Sequence, residues 1–302
     1  MITFTRSRLR NRMVAAIASP TFALALMAGP AHAFGLTFTP IDVPGATRTD
    51  ALGINDRGVI VGDCVIGGSF HGFVLNGGTF KLFDVPGAIA TFGIAINNWN
   101  QIAGYWFDGL GLLHGFSLAA DTFTLVDVPQ ASSTFPIGID DRGQIVGGYT
   151  DAAGATHGFR LAAGRYTVVD VPGTTYTEVD GVNAGLTAKP ENELLTLPQV
   201  GQMVGDYVDG KGVFHGFLLD RGVFTSIDVP GAKFTEAIGI NGRGQIVGAY
   251  DSLHGYLLDR GVFTTIDVPG SVLTKAIKLN DRSEIVGFYA DAAGTTHGFL
   301  AR

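Results

Sequence analysis

Short apolar runs rich in Val, Ile, Phe, Tyr and Thr alternate along this chain with turns of Gly, Asp, Asn and Pro. One stretch reads "NGRG-QIVGAY-DSL-HGYLL-DRG-VFTTID" from residue 241 to residue 267. β-Branched and aromatic side chains favour strands, whereas Gly, Asn, Asp and Pro favour turns. Three-residue turns that end in Gly suit β-hairpins that contain a bulge. The pattern predicts an all-β chain built of antiparallel hairpins.

The same pattern recurs six times along the chain. A His-Gly pair followed by Phe or Tyr marks each unit, and successive histidines are 43, 43, 58, 39 and 43 residues apart. Each unit reads as four short strands. The first strand leads into a tight turn such as "NDRG", the second reads like "QIVGAY", the third begins at the histidine, and the fourth ends in Asp-Val-Pro. Repeats of this length predict a propeller or a solenoid.

The two ends of the repeat region favour a propeller. Residues 36–44 read as a lone fourth strand, and the chain ends just after a lone third strand that begins at His297. The N-terminal strand can therefore complete the last unit and close a ring, which removes exposed sheet edges. A solenoid would have no reason to divide a unit in this way and would need polar caps. We predict one six-bladed β-propeller domain over residues 34–302, with four antiparallel strands in each blade.

The first 33 residues have the layout of a secretory signal peptide. Four arginines between residues 6 and 12 precede an apolar stretch over residues 13–29, and Ala31-His32-Ala33 forms a small-residue cleavage site. The apolar stretch contains Pro20 and is shorter than the ~20 residues that a membrane-spanning helix needs. We therefore expect cleavage after Ala33, a secreted or periplasmic protein, and no membrane span in the mature chain.

Charge and cysteine content limit the possible partners. The chain has 20 Lys and Arg against 27 Asp and Glu, and loss of the signal peptide takes the net charge from −7 to −11. An acidic protein of this kind has no electrostatic attraction for nucleic acid or anionic lipid. Cys64 is the only cysteine, so an intrachain disulfide is impossible. We expect a monomer that is stabilised by packing and has no cofactor.

Each internal histidine of the repeat is followed 13 residues later by the aspartate of Asp-Val-Pro. The turn between the third and fourth strands lies midway, so the two side chains should be neighbours across a hairpin. The sixth pair would form through ring closure. The pairs are His71 with Asp84, His114 with Asp127, His157 with Asp170, His215 with Asp228, His254 with Asp267, and His297 with Asp42.

Two interpretations of these pairs are open. A metal or catalytic site could recur in each blade, but one His-Asp pair has too few ligands for zinc, which takes three or four. Sixfold repetition is also typical of residues that maintain a fold. We therefore interpret the twelve residues as structural and expect no bound metal.

Two features break the repeat, and function in a repeat protein is expected at such places. An insertion over residues 184–200 lengthens the turn between the first and second strands of the fourth unit. Loops often carry functional residues, so the insertion could form a binding site. A surface insertion that the fold tolerates and that has no function is an equally good interpretation. The second feature is the residue after the Thr that opens each first strand, which varies freely. These six residues are Asp50, Phe92, Phe135, Glu178, Glu236 and Lys275.

The first strand of a propeller blade is the innermost one, so these six residues should ring one mouth of the central channel. Phe92 and Phe135 would form an apolar side, and Glu178 and Glu236 an acidic side. We predict this mouth as the ligand-binding site, with ordinary surface variation as the alternative. The insertion would lie at the opposite mouth.

The His-Gly-Phe or His-Gly-Tyr core, preceded by "GIN" and "IVG", resembles the HAF-repeat extracellular proteins, a family named for a His-Ala-Phe core. The resemblance covers all six units over residues 36–302, with Gly in place of Ala. It implies secretion and a propeller-like repeat. It brings no catalytic residues to this chain.

These observations predict an exported, non-catalytic propeller that acts as a binding or interaction scaffold for a small molecule, a glycan or a protein. One alternative is a secreted hydrolase or lyase that acts on a glycan or a lactone. Another is a structural component of an envelope or matrix. An enzyme requires several polar groups that converge on one mouth. The sequence indicates only Asp50, Glu178 and Glu236 there, without a paired base or metal ligands.

Overall fold

Six four-stranded antiparallel sheets surround a common axis in the computed structural model, which describes residues 35–184 and 201–302. In five of the sheets the strand order follows the chain order, so each is a simple meander. The first strand of every sheet contacts the first strands of both neighbouring sheets, which places it next to the axis. The predicted six-bladed β-propeller is therefore confirmed.

The strands are numbered in chain order. Blade 1 contains β2 (Arg48–Ile54), β3 (Ile60–Ile66), β4 (Ser69–Asn76) and β5 (Thr79–Phe83). Blade 2 contains β6 (Ala90–Ile96), β7 (Ile102–Phe107), β8 (Leu113–Ala119) and β9 (Thr122–Leu125). Blade 3 contains β10 (Ser133–Ile139), β11 (Ile145–Thr150), β12 (Thr156–Ala162) and β13 (Arg165–Val169).

Blade 4 contains β14 (Thr177–Val182), β15 (Met203–Val208), β16 (Phe214–Asp220) and β17 (Val223–Ile227). Blade 5 contains β18 (Thr235–Ile240), β19 (Ile246–Tyr250), β20 (His254–Asp259) and β21 (Val262–Ile266). Blade 6 contains β22 (Leu273–Leu279), β23 (Ile285–Ala290), β24 (Thr296–Ala301) and, from the other end of the chain, β1 (Phe38–Ile41).

The N-terminal strand β1 closes the ring as the outer strand of blade 6. It runs antiparallel to β24, with Phe38 opposite Ala301. Beyond the strand, the amide of Thr37 donates a hydrogen bond to the carbonyl of Arg302 at 2.8 Å. Pro40 lacks an amide hydrogen, and an outer edge strand is where a sheet tolerates this residue. The predicted closure is confirmed.

The links between blades explain why every first strand opens with Thr. The amide of Val43 donates a hydrogen bond to the hydroxyl of Thr49 at 3.0 Å, and the equivalent bond measures 2.9–3.1 Å in all six links. The turn between them places Gly45 at a φ of 81°, which an L side chain rarely adopts. The Thr hydroxyl therefore fixes the turn that carries the chain from one blade to the next.

At the opposite end of the axis, asparagine side chains join neighbouring blades. The side-chain amide of Asn55 donates to the backbone carbonyl of Asn97 at 3.1 Å. The same bond is made by Asn97, Asn183, Asn241 and Asn280. We call these five residues the asparagine ring. Blade 3 has Asp140 at this position, and a carboxylate has no hydrogen for the bond to blade 4.

A β-bulge in every pairing of first and second strands turns one extra residue towards the axis. The bulge falls between Ala51 and Gly53 in blade 1, and at the equivalent place in each other blade. The bulge residues are Leu52, Ile94, Ile137, Asp180, Ile238 and Ile277. The five apolar ones pack together with one another on the axis. Asp180 is the single exception.

Between the blades, the core is continuous and apolar. Val61 of blade 1, for example, packs with Ile96 and Phe116 of blade 2. Cys64 is completely buried, and burial raises the pKa of its thiol to about 11. The thiol therefore stays protonated and acts as a small apolar side chain.

Two predicted segments lie outside the described residues: the signal peptide over residues 1–33, and residues 185–200 of the insertion. Within the described part of the chain, no helix is long and apolar enough to cross a membrane.

Deletion of residues 34–46 should lower the melting temperature by more than roughly 10 °C, or abolish the single cooperative transition. The reason is that β24 becomes an unpaired edge and Phe299 loses the edge-on contact with Phe38, whose ring centre is 5.6 Å away. Thermal unfolding followed by circular dichroism measures this, with a chain that starts at Phe34 as the control. Equal melting temperatures would show that ring closure does not stabilise the fold.

Candidate functional site

The six variable residues lie at one level of the six inner strands, at the end of the axis where these strands begin. We call this end the upper mouth. Each of the six has a neighbour opposite it on the second strand of the same blade. These neighbours are Asp63, Tyr105, Gly148, Asp206, Ala249 and Phe288. The structure therefore brings the six predicted residues to a common level, and their role in ligand binding stays a prediction.

Charged side chains of the upper mouth bind one another. Asp50 is only 4% exposed. Lys275 and Glu236 form an ion pair at 2.8 Å, with 19% and 12% of their side chains exposed. A ligand would have to compete with these contacts.

Aromatic rings fill one side of the mouth. Phe92 stacks on Tyr105 of its own blade, with ring centres 4.9 Å apart and planes 27° from parallel. Phe70 and Phe107 pack on the same Phe92 ring, at 4.9 and 6.1 Å. Phe135 joins the apolar residues on the axis from blade 3. We call these five residues the apolar side.

Four carboxyl side chains fill the opposite side, which belongs to blades 4 and 5. They are Glu178, Asp180, Asp206 and Glu236, and we call them the acidic side. Asp180 and Asp206 are only 6% and 7% exposed. Neither residue is among the predicted site residues, although comparison of the repeat units reveals Asp180: "TEVDGV" (177–182) has Asp where "TEAIGI" (235–240) has Ile.

Proximity of the four carboxyls changes their protonation. Burial raises the pKa of Asp206 well above its usual range, and the nearby charges of Asp180, Glu178 and Glu236 raise it further. Asp206 also shares a hydrogen bond with Asp180. Two carboxyl groups in such contact cannot both be ionised without strong repulsion. Burial and the neighbouring charges therefore favour a form of this pair that holds a proton.

Basic and phenolic groups surround the acidic side. The ammonium of Lys278 donates to the backbone carbonyls of Asp180 and Ile238, both at 2.7 Å. The hydroxyl of Tyr176 donates to Glu178. Burial, followed by the charge of Glu178, raises the pKa of Tyr176 well above its usual value. The acidic side is thus a hydrogen-bonded network that draws on four blade elements, β14, β15, β18 and β22.

A second carboxyl pair lies in blade 1. Asp50 on β2 is directly opposite Asp63 on β3, and Asp63 is 3% exposed. Arg48 donates to Asp50 through its Nε atom at 2.9 Å. Asp63 is likewise absent from the predicted site residues, because that prediction covers only the first strands.

The histidines lie on the outer part of the same face. In all six blades the Nδ1 atom is 2.7–2.9 Å from an oxygen of the aspartate that the spacing assigns to it. In five blades the imidazole also packs on an aromatic ring, with centres 5.1–5.3 Å apart. These aromatic residues are Trp106, Tyr149, Tyr207, Tyr250 and Tyr289.

In four blades a second aspartate faces the Nε2 atom of the histidine, at 3.4–3.7 Å. One of them, Asp151, also accepts the amides of Ala153 and Ala155 in its own turn. Among the described residues, no group of three or more His, Cys, Asp or Glu is arranged to hold a metal ion. The structural interpretation of the histidines stays a prediction.

Comparisons with known proteins identify the fold. No family model and no curated protein sequence matches this chain. AofleA from Arthrobotrys oligospora has a similar structure, with a TM-score of 0.55 and 12% identity over 88% of this chain and 86% of that one. A mutant Aleuria aurantia lectin in complex with Fucalpha1-6GlcNAc gives 0.51 and 12%, over 83% and 91%. Identities this low show a shared fold and nothing further.

Replacement of His215 by Ala should cost about 1–3 kcal/mol of stability, because it removes a hydrogen bond to the charged, half-exposed Asp228 and the packing of the imidazole on Tyr207. The bond to Asp228 raises the pKa of His215 above its usual value, although burial opposes this. The pKa of His215 is thus higher in the folded protein than in the unfolded chain, where it is about 6.5. The stabilisation that protonated His215 gives is therefore fully present below about pH 6.5, and it is lost as the pH rises through the pKa of the folded state.

The difference in unfolding free energy between wild type and His215→Ala should therefore be larger at about pH 5 than at about pH 8.5. Denaturant titration at both pH values measures it. An equal difference at the two pH values would contradict an ion pair between His215 and Asp228. A transition metal found in the purified protein by elemental analysis would contradict the structural role of the histidines.

Proposed function

We propose that this protein is a binding propeller whose ligand site is the upper mouth. The observation that carries the proposal is the division of this mouth into an apolar side in blades 1–3 and an acidic side in blades 4 and 5. A mouth with two such sides suits a ligand with one apolar face and one face rich in hydrogen-bonding groups. Its six carboxyls, four on the acidic side and Asp50 and Asp63 in blade 1, disfavour a small anion.

A glycan is the first ligand class to test. A sugar ring presents an apolar C–H face to aromatic side chains and hydroxyls to carboxyl groups, which matches the two sides of the mouth. Among the similar propellers, an Aleuria aurantia lectin mutant is in complex with alpha-methyl-L-fucoside, at a TM-score of 0.51 and 13% identity over 88% of this chain and 90% of that one. This similarity shows only a shared fold, but it is a reason to include fucosides among the first sugars that are tested.

The mouth is tested by Glu178→Ala combined with Glu236→Ala. Once a glycan array identifies a ligand for the mature protein, this double variant should bind it at least tenfold more weakly, a loss of about 1.4 kcal/mol. Asp220→Ala with Asp259→Ala is a matched control, because it removes the same charge from the same two blades at the far ends of β16 and β20. Titration calorimetry on all three proteins measures the affinities.

The insertion over residues 184–200 is the rival site. Its shortening to the three-residue turn of the fifth unit should leave the affinity unchanged. If this deletion abolishes binding while the double Glu variant binds normally, the ligand site is at the insertion and the proposal for the upper mouth is wrong.

A secreted glycan hydrolase is the second candidate function, and the raised pKa of the buried Asp206 is the observation that favours it. A carboxyl that keeps its proton can act as the general acid in cleavage of a glycosidic bond, but the second carboxyl of this reaction lies about 5–10 Å away, so a carboxyl of the acidic side other than the contacting Asp180 would have to serve as its partner. Release of a free sugar from bound glycosides, detected by chromatography and abolished in Asp206→Asn, would establish it. If the protein binds glycosides but does not cleave them, the hydrolase function is wrong and the binding function stands.

We further propose that residues 1–33 direct export and that the chain belongs with the HAF-repeat proteins. The motifs in all six units and the layout of the N-terminus support this. The mass of the exported protein tests it, because cleavage after Ala33 leaves Phe34 as the first residue.

A further inference from the structure

One lysine enters the central channel at a place where the other five blades have almost no side chain. The place is the residue that follows the bulge residue on each inner strand. At Gly53 and Gly239 a Cβ atom would come within 2.9 and 2.6 Å of neighbouring atoms, so this place favours glycine. The six residues here are Gly53, Ala95, Gly138, Gly181, Gly239 and Lys278. Packing of the inner strands therefore gives no reason for a lysine.

The ammonium of Lys278 joins three blades. Lys278 lies on β22 of blade 6, and its Nζ atom is 2.7 Å from the carbonyl oxygen of Asp180 on β14 and 2.7 Å from that of Ile238 on β18. Both carbonyls belong to bulge residues, in blades 4 and 5. Hydrogen bonds from a charged donor are stronger than those between neutral groups. We call these two bonds the lysine clamp, because they hold two neighbouring inner strands together from a third blade.

The two clamped strands carry the acidic residues that are predicted to bind a ligand. Glu178 precedes Asp180 by two residues on β14, and Glu236 precedes Ile238 by two residues on β18. Like charges on the acidic side repel one another, which favours separation of the two strands. The lysine clamp opposes this separation, and it fixes the spacing of the two strands just below Glu178 and Glu236.

The apolar side of the mouth is supported in a different way. The bulge residues of blades 1–3 are Leu52, Ile94 and Ile137, and they pack together on the axis with Phe92 and Phe135 beside them. An ionised group near the axis costs free energy unless hydrogen bonds compensate it. A lysine at this level is therefore expected only where carboxyl groups replace the apolar packing, which is the case in blades 4 and 5.

We propose that Lys278 is a positioning residue of the upper mouth, which fixes the spacing of Glu178 and Glu236 so that both carboxyls can meet one ligand. This inference rests on the proposed binding function and adds the element that preorganises it. A site whose groups are held in place before binding loses less conformational entropy on binding. Lys278 acts through the backbone of the two strands and does not have to touch the ligand.

Hydrogen–deuterium exchange tests the lysine clamp without any ligand. In Lys278→Gly, which has the residue of four other blades, segments 177–182 and 235–240 should exchange at least tenfold faster than in wild type. Lys278→Met keeps most of the side-chain volume without the ammonium and should behave in the same way. The equivalent segments 91–96 and 134–139 of blades 2 and 3 should be unchanged. Lys233→Met is the matched control, because it removes the same charge from an exposed lysine in the link into blade 5.

A cavity beside Lys278 allows chemical rescue of the glycine variant. Lys278 lines a space of about 70 Å³ on the axis, which shares six aliphatic residues with an opening of about 110 Å³ at the asparagine ring. Ethylammonium can therefore enter Lys278→Gly from the end opposite the upper mouth and replace the missing donor. Slow exchange should return with ethylammonium and not with tetramethylammonium, which has no N–H group. Equal rescue by both ions would contradict a role for hydrogen bonds.

The same variants then report on ligand binding. Methyl α-L-fucoside, methyl β-D-galactoside, methyl α-D-mannoside and methyl β-D-glucoside are titrated into the mature protein by calorimetry. Each sugar that binds wild type should bind Lys278→Gly and Lys278→Met about tenfold more weakly, and ethylammonium should restore the affinity of the glycine variant. The affinity of Lys233→Met should equal that of wild type.

The outcomes separate this inference from the proposed function. Unchanged exchange in both Lys278 variants overturns the lysine clamp and leaves the proposed mouth intact. Faster exchange with unchanged sugar affinity shows that the clamp holds the strands without serving a ligand, which overturns the positioning role. If none of the four glycosides binds wild type, the proposed glycan ligand is wrong and the positioning role fails with it, whereas the exchange rates still decide whether the clamp holds β14 and β18.

Discussion

Closure of the ring is the constraint on which the rest of this structure depends. Each blade has to meet two neighbours, so the groups that form the boundaries must recur in all six. The Thr hydroxyl that fixes each link and the buried third-strand aromatic ring recur for this reason. Only residues that face the axis or the solvent can vary without breaking a boundary. The upper mouth is where the variable residues of six blades meet.

The sequence was sufficient for the fold because the information is repeated. Six copies of one strand pattern fix the number of blades, and the divided first and last units fix how the ring closes. The pairing of His297 with Asp42, 255 residues apart in sequence, follows from closure alone. The sequence also predicts that the six mouth residues lie at the same height along the axis, because they occupy the same position of the first strand in each unit.

The candidate site could be predicted only in part, because its remaining groups come from other elements. Asp206 lies on a second strand and Asp180 faces the axis only because a β-bulge turns it there. The raised pKa of Asp206 depends on burial and on charges from β14 and β18, which no local sequence pattern reveals. The extent to which Lys275 and Glu236 close the mouth depends on side-chain geometry. Asp180 was nevertheless visible in the aligned units as a carboxyl among aliphatic residues.

The asparagine ring has a consequence for the symmetry of the propeller. Five blade boundaries at the end of the axis opposite the upper mouth carry an amide-to-carbonyl bond, and blade 3 has Asp140 in place of the asparagine. The Asp140 carboxyl accepts amides within its own turn, such as that of Gln144 at 2.8 Å. Asp140 in blade 3 and Asp180 in blade 4 therefore break the sixfold pattern of the inner strands in adjacent blades, one at the turn after the strand and the other at the bulge within it.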